Sequence, residues 1–527
     1  MQQPFSAIHA GCFWAPSGVS WSPMVWDVLQ AQVWCANEKE TAMDHEMSRR
    51  AFLKVAGIGS TACMGGLGHL PLAAGVVGDP LVSPGCRRSR VRVARVYMGI
   101  RKGWAWPKPD LDVDKEMALY KGEFARLRDE VGDVDFVINQ LVSTADQAAG
   151  LASKAADVDG VLVIHLTMGA EGVLPAVLKW GKPTVVFAVP YSGHQWVGFG
   201  AMQRQAGTRL ECLLTSDYRQ LALAVRPFRA IHHLREAKIV NLTTRPIGKY
   251  GDDVKAKFGT EIKAVGLQRM MDTVNAVPEA EAQAEADRWI KGAEQVVEPS
   301  RDQIVKSCRL ALAFERLLAE EDATAMTADC YGTMYDPLCL GYAFPCMGFT
   351  RLNDLGLGGI CESDLGCAMT HIILQGLVGR PSFVSDPTID ESDNSILLAH
   401  CLGTRKMDGP NGPMASYKLR TVMERRAGAV PQVQMRKGQK VTQAILVGVD
   451  TMRYFTGEIA DAPVGLDADR GCRTKIRVRV DGNVMDLWKN WSAGLHRQTC
   501  YGDVSKELGF FCRFKDIKLA NELTPTT

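Results

Sequence analysis

The apolar positions of the chain fall into three patterns. Between residues 91 and 200 two segments of strand composition, 91–97 and 134–138, and two short, nearly unbroken apolar runs, 161–165 and 184–189, stand among stretches of helical spacing at 115–130 and 171–180. Runs of that length and composition predict parallel strands covered on both faces, and their alternation with helices predicts a doubly wound α/β domain. A second α/β region opens near Ala237. There 238–242 reads as a strand, 279–293 and 301–320 as helices, the second strongly amphipathic, and 325–330 as a strand of weak composition. In the last hundred residues 441–447 and 475–480 read as strands, Asp481-Gly482 is a tight-turn signal, and no long helix is expected until the end. The expected fold class is α/β: two doubly wound α/β domains followed by a β-rich (barrel-like) C-terminal domain. The expected boundaries are 79–236, 237–378 and 379–527.

Residues 1–78 follow none of these patterns. Ser48-Arg49-Arg50-Ala51-Phe52-Leu53-Lys54 resembles the twin-arginine export motif, and no Asp, Glu, Lys or Arg occurs from Val55 to Gly78. That stretch is rich in Gly and Ala, so a cleaved signal is expected rather than a retained membrane anchor, with small residues for cleavage at Leu72-Ala73-Ala74. The expected partner is the twin-arginine export machinery, and the expected location is periplasmic or secreted. Residues 1–42 carry Trp14, Trp21, Trp26 and Trp34 without periodicity, and Met43 or Met47 would make a more natural start. Gly57-Ile58-Gly59-Ser60-Thr61-Ala62 matches a dinucleotide-binding pattern, but no strand precedes it, so it is not read as a cofactor loop.

At 527 residues the chain exceeds one hydrophobic core, and a net charge of +2 gives no field suited to nucleic acid. The 15 cysteines show neither CxxC nor zinc-knuckle spacing. Cys308, Cys330, Cys361, Cys367 and Cys401 sit in apolar segments and are expected as buried free thiols.

The candidate chemistry lies between 325 and 510. In Gly359-Ile360-Cys361-Glu362-Ser363-Asp364 carboxylates stand where an apolar segment meets a helix starting near Asp364, a place that also suits simple helix capping. Ser382-Phe383-Val384-Ser385-Asp386-Pro387 reads as a strand that ends at its carboxylate because of the proline. His400 lies inside an apolar run, and His496 follows Gly494-Leu495 at the end of a β region. Taken singly, each has an ordinary explanation as a cap, turn or core residue. Taken together, two carboxylates and one or two imidazoles suit a divalent ion such as Mn²⁺ or Mg²⁺, and the set lacks the pattern of structural zinc. His194 and Trp196, after the run at 184–189, and Asp329, after 325–328, are candidates for touching substrate at strand ends. Arg473 is a candidate for an acidic or sulfated substituent.

The Cys-Glu-Ser-Asp block, the Asp twenty-four residues beyond its Glu, and the late Gly-Leu-His-Arg before Tyr501-Gly502-Asp503 resemble the L-fucose isomerase and L-arabinose isomerase superfamily. The resemblance implies that Glu362, Asp386 and His496 bind Mn²⁺, with His400 the counterpart of a further ligand in the arabinose branch. It implies an aldose–ketose isomerase in which Glu362 and Asp386 serve as base and acid in an unassigned order, and a homo-oligomer, trimer or hexamer. Enzymes of this family are cytoplasmic, so an export signal points to an unusual, oxidised or otherwise modified sugar. The alternatives are another metal-dependent sugar enzyme (epimerase or lyase) and an exported carbohydrate-binding protein on an isomerase-like fold.

Overall fold

Five parallel strands make the first layer: β1 (Val91–Met98), β2 (Val134–Val142), β3 (Gly160–His165), β4 (Thr184–Ala188) and β5 (Leu210–Leu214), in the order β2-β1-β3-β4-β5. The apolar runs of β3 and β4 are buried at every position, as strands with helices on both faces must be. The computed structural model describes residues 89–102, 106–462 and 470–525. The export motif, the tryptophan-rich start and the 57–62 glycine pattern lie outside the described residues.

The helix Gln220–Glu236 joins the layers. A methyl group at Gly160 would collide with its Phe228 ring, so β3 needs glycine there. On the other side Ala230 faces Gly376 of the helix Leu365–Val378, and a Cβ at Gly376 would lie 2.6 Å from the Ala230 Cα. The second sheet is also wholly parallel. Its strands are β6 (Lys238–Leu242), β7 (Glu261–Val265), β9 (Ala325–Ala328) and β10 (Gly358–Ile360), in the order β10-β9-β6-β7. β8 (Gln295–Val296), between them in the chain, pairs elsewhere. The winding direction reverses between β6 and β9, which opens a crevice at the carboxyl ends of those strands. Both parallel sheets are Rossmann-like.

The C-terminal strands are β11 (Phe383–Asp390), β12 (Ser395–His400), β13 (Tyr417–Val422), β14 (Ala427–Val433), β15 (Lys440–Val447), β16 (Thr451–Asp461), β17 (Thr474–Val480), β18 (Arg497–Tyr501) and β19 (Lys518–Asn521). Six of them close a barrel in the order β15-β18-β11-β12-β17-β16, with β16 returning to β15. β19 adds to β16 in parallel, while β13, β14 and β8 form a small separate sheet. The expected fold class is therefore the observed one.

Two local readings differ from the structure. β11 continues through Pro387 to Asp390. It pairs with β18 only over Phe383–Ser385 and with β12 only from Asp386 onward, so Pro387 lies where one edge carries no partner strand and its missing N–H costs no ladder bond. Among the described residues no long helix intervenes before the end, as expected, but a short one, Val484–Asn490, follows Asp481-Gly482 after β17. His496 precedes a strand, β18, instead of closing one. Among the described residues no helix is long and apolar enough to cross a membrane.

Candidate active site

Glu362 sits just past the end of β10, in a backbone that bulky residues avoid. Its φ is 62° and that of Ser363 is 53°. Two consecutive left-handed non-glycine residues cost energy, roughly 1–3 kcal/mol each, and persist where neighbours fix them. Here the Ser363 N–H donates to the Ala328 carbonyl at 2.9 Å. The Ser363 hydroxyl donates to Asn241 Oδ1 of β6 at 2.7 Å. The turn is thus bolted to the ends of β9 and β6 and sets Glu362 on the wall of a cavity. Asp364 then caps the helix Leu365–Val378, its side chain accepting from the Cys367 N–H at 2.8 Å.

The barrel brings the other groups to this corner. Asp386 lies at the point where β11 changes partner, and His400 ends β12. His496 immediately precedes β18. The His496 Nε2 is 3.1 Å from Asp386 Oδ1 and 3.6 Å from Glu362 Oε2, and its Nδ1 is 3.2 Å from Asp364 Oδ2. The His400 ring lies 5.5 Å from the His496 ring. The structure therefore brings Glu362, Asp386, His400 and His496 together, and adds Asp364.

Three buried atoms in this cluster, Asp386 Oδ1, His400 Nε2 and His496 Nε2, have no hydrogen-bond partner. One ligand atom from each of these residues lies within 4.8 Å of the others. Neighbouring ligand atoms around an octahedral ion with bonds of about 2.1 Å stand about 3 Å apart. The 3.1 Å spacing of His496 and Asp386 matches that requirement, Glu362 stands wider at 3.6 Å and groups with Cys361 and His400, and the donor set of carboxylates and imidazole suits Mn²⁺ or Mg²⁺. His496 has the usual wiring of a metal-binding histidine: its Nδ1 faces a carboxylate, Asp364, which leaves the Nε2 lone pair for the ion. His400 is wired the other way. Its Nδ1 accepts from the Cys401 N–H at 2.9 Å, so the neutral ring carries its proton on Nε2 and presents a donor to the cavity. Ligation by His400 requires that proton to leave.

The electrostatics separate the carboxylates. Burial pushes Glu362 above the usual carboxylate range, and nearby Asp386, Asp364 and Glu424 reinforce it against the His496 charge. For Asp386 burial acts in the same direction, but the adjoining His496 outweighs it and holds the group below its ordinary value. Burial alone would lower His496. Its contacts with Asp364 and Asp386 prevail, and the imidazole is pushed up to about 10. Burial lowers His400 to about 4, so that ring is neutral.

Glu362, Asp386 and His400 open onto one cavity, whose wall also includes Tyr331, Glu424, Arg425 and Cys472. Tyr331 is legible from the sequence, with Asp329 and Cys330, as able to line the cleft, whereas Glu424, Arg425 and Cys472 are not, because they come from loops that carry no spacing motif. The other candidates lie elsewhere. His194 and Trp196 are exposed beyond β4, with Trp106 against the His194 ring at 4.5 Å. Asp329 turns away to pair with Arg245 at 2.7 Å and caps the helix Cys330–Met334, while its neighbours Cys330 and Tyr331 line the cavity. Arg473 is buried, donating to the Thr421 carbonyl at 2.9 Å and standing 3.5 Å from Glu298. The guanidinium on the cavity wall is that of Arg425, 4.6 Å from the Tyr335 ring centroid.

No family model matches the chain. Over 270 residues it is 27% identical to the sulfoquinovose isomerase of Clostridium sp. (strain MSTE9), a stretch that covers 48% of this chain and 56% of that protein. Over 198 residues it is 28% identical to the L-arabinose isomerase of Vibrio parahaemolyticus, covering 35% of this chain and 38% of that protein. Both relatives are sugar isomerases. The chain thus matches about half, or less, of the length of these curated relatives. This similarity to sugar isomerases agrees with the resemblance carried by the Glu362 block.

Proposed function

We propose that the protein is an aldose–ketose isomerase acting on a small open-chain sugar, with a divalent ion held by Glu362, Asp386 and His496. The observation that carries this reading is the convergence of Asp386 Oδ1 and His496 Nε2, 3.1 Å apart and without an aligned hydrogen bond, beside Glu362. A divalent ion bound there would supply the positive charge that stabilises two adjacent sugar oxygens as negative charge develops on them.

The chain's own residues account for the proton movements. Isomerisation breaks the C2–H bond, leaves its electron pair in a C1–C2 double bond, and forms a new C1–H bond, while the O2 proton passes to O1. Glu362, with its raised proton affinity, is the group suited to take the proton from C2 and, after that proton exchanges with solvent, to deliver one to C1. Asp386, held ionised, is suited to remain a ligand. His400 offers its Nε2–H to a sugar oxygen. Arg425 gives the cavity wall a cation suited to an acidic substituent, which favours a modified sugar. Twin-arginine export and assembly into a trimer or hexamer belong to the same proposal.

A panel of neutral and acidic aldoses and ketoses, incubated with the Mn²⁺- or Mg²⁺-loaded protein, tests the reading. Interconversion of an aldose with its ketose supports it. Sugar binding without turnover across the panel favours a carbohydrate-binding protein instead.

A further inference from the structure

A second cluster of ligand atoms lies on the wall of the same cavity. Cys401 follows His400 at the end of β12, Glu424 sits in the turn between β13 and β14, and Cys472 lies in the loop before β17. The two thiol sulfurs are 3.6 Å apart. Glu424 faces both, with Oε2 at 3.9 Å from Cys401 Sγ and Oε1 at 3.7 Å from Cys472 Sγ.

We propose that Cys401, Glu424 and Cys472 form a second metal site, separate from that of Glu362, Asp386 and His496 and selective for a thiophilic divalent ion of the zinc class. The triangle has the required dimensions. Tetrahedral bonds of about 2.3 Å to sulfur and about 2.0 Å to oxygen place two sulfurs about 3.7 Å apart and a sulfur and an oxygen about 3.5 Å apart. The sulfur–sulfur edge is already close to its value, and one ligand atom from each of the three residues lies within 4.8 Å of the others, so the Glu424 carboxylate need only turn one oxygen toward both sulfurs. Three protein ligands leave the fourth position open toward the cavity.

The carboxylate decides between a metal and a disulfide. A Cys401–Cys472 disulfide has no use for an acidic group directed at both sulfurs and would leave that carboxylate facing a neutral, weakly polar bond. A cation uses all three groups, and thiolates select it against the hard ions suited to the first site. The burial gradient also fits entry from solvent, with Cys401 buried, Cys472 half-buried and Glu424 exposed. Occupied, the site would tie three separate segments into one rim of the cavity.

Cobalt is the probe. The full chain, reduced and stripped with a chelator, is titrated with Co²⁺ in the presence of excess Mg²⁺ to occupy the first site. The expected result is a thiolate-to-cobalt charge-transfer band that is displaced by Zn²⁺, and the cysteine variants assign it, because Cys361 also lies beside Glu362 and His400. Cys472→Ser and Cys401→Ser should each abolish the band, and Glu424→Gln should weaken cobalt binding. Cys330→Ser, which alters another close thiol pair on this wall (Cys330–Cys361, 3.1 Å), should leave the band intact. Absence of the band in the reduced protein overturns the proposal, and so does a band that survives Cys472→Ser but disappears in Cys330→Ser.

Discussion

His496 Nε2 and Asp386 Oδ1 stand 3.1 Å apart in a buried corner, yet neither takes part in an aligned hydrogen bond. Leaving a buried polar group unsatisfied costs about 1–3 kcal/mol. An ion bonded to both atoms relieves that cost, so metal should stabilise the fold. At a hundredfold excess over its dissociation constant the ion contributes about 2.7 kcal/mol. Thermal denaturation with and without Mn²⁺ should show a clear rise in Tm, and Asp386→Ala or His496→Ala should abolish that rise.

Glu362→Gln removes the group assigned to proton transfer but keeps its size. Turnover should fall by about 10²–10⁴-fold or more, the usual contribution of general acid–base catalysis. Sugar binding, measured by calorimetry, should remain. Retained turnover would move the proton-transfer role to Asp386.

Asp364 acts through His496 and through its helix, and substitutions can separate the two roles. Asn caps a helix about as well as Asp, so Asp364→Asn should keep the cap and lose only the pairing with His496. Loss of the carboxylate behind a metal-binding histidine typically weakens the metal about 10–100-fold, which a Mn²⁺ titration would read. Asp364→Ala should add a Tm loss corresponding to about 1 kcal/mol.

Stability should depend on pH through a site remote from the chemistry. His232 Nδ1 lies 2.9 Å from Asp159 and its Nε2 lies 3.4 Å from Glu236. Burial alone would lower His232, but these carboxylates raise it from 6.5 to about 9. The histidine's contribution is therefore complete below pH 6.5 and fades as pH climbs through 9. Burial would raise Glu236, yet His232 and Ser89 lower it from 4.5 to about 2. Its contribution is present above pH 4.5 and is lost as pH falls toward 2. Tm profiles of the wild type and His232→Gln should converge at high pH and separate most between these two limits.

The fold class was legible because continuous apolar runs mark strands buried on both faces, as at 161–165 and 184–189. β10 escaped notice because two of its three residues are glycine. The first of them packs against β9, and a Cβ at Gly359 would strike the Phe349 backbone. β7 escaped because four of its five residues are not buried, as on a sheet edge. In the site, Glu362 and Asp386 could be found because each carboxylate stands at a break in an apolar segment. The capping role read for Asp364 is present, but its second contact with His496 depends on barrel closure across 132 positions. The Cys401–Glu424–Cys472 cluster was invisible for the same reason, since three separate barrel-side segments supply it.

The most direct measurement is proton exchange at the sugar itself. The metal-loaded protein is incubated in deuterated water with the aldose it converts, and the recovered sugars are analysed by NMR. The account predicts solvent deuterium at C1 of the ketose and at C2 of the recovered aldose, dependent on the ion and lost in Glu362→Gln. Exchange that persists after Glu362→Gln, or after complete removal of the metal, would contradict it.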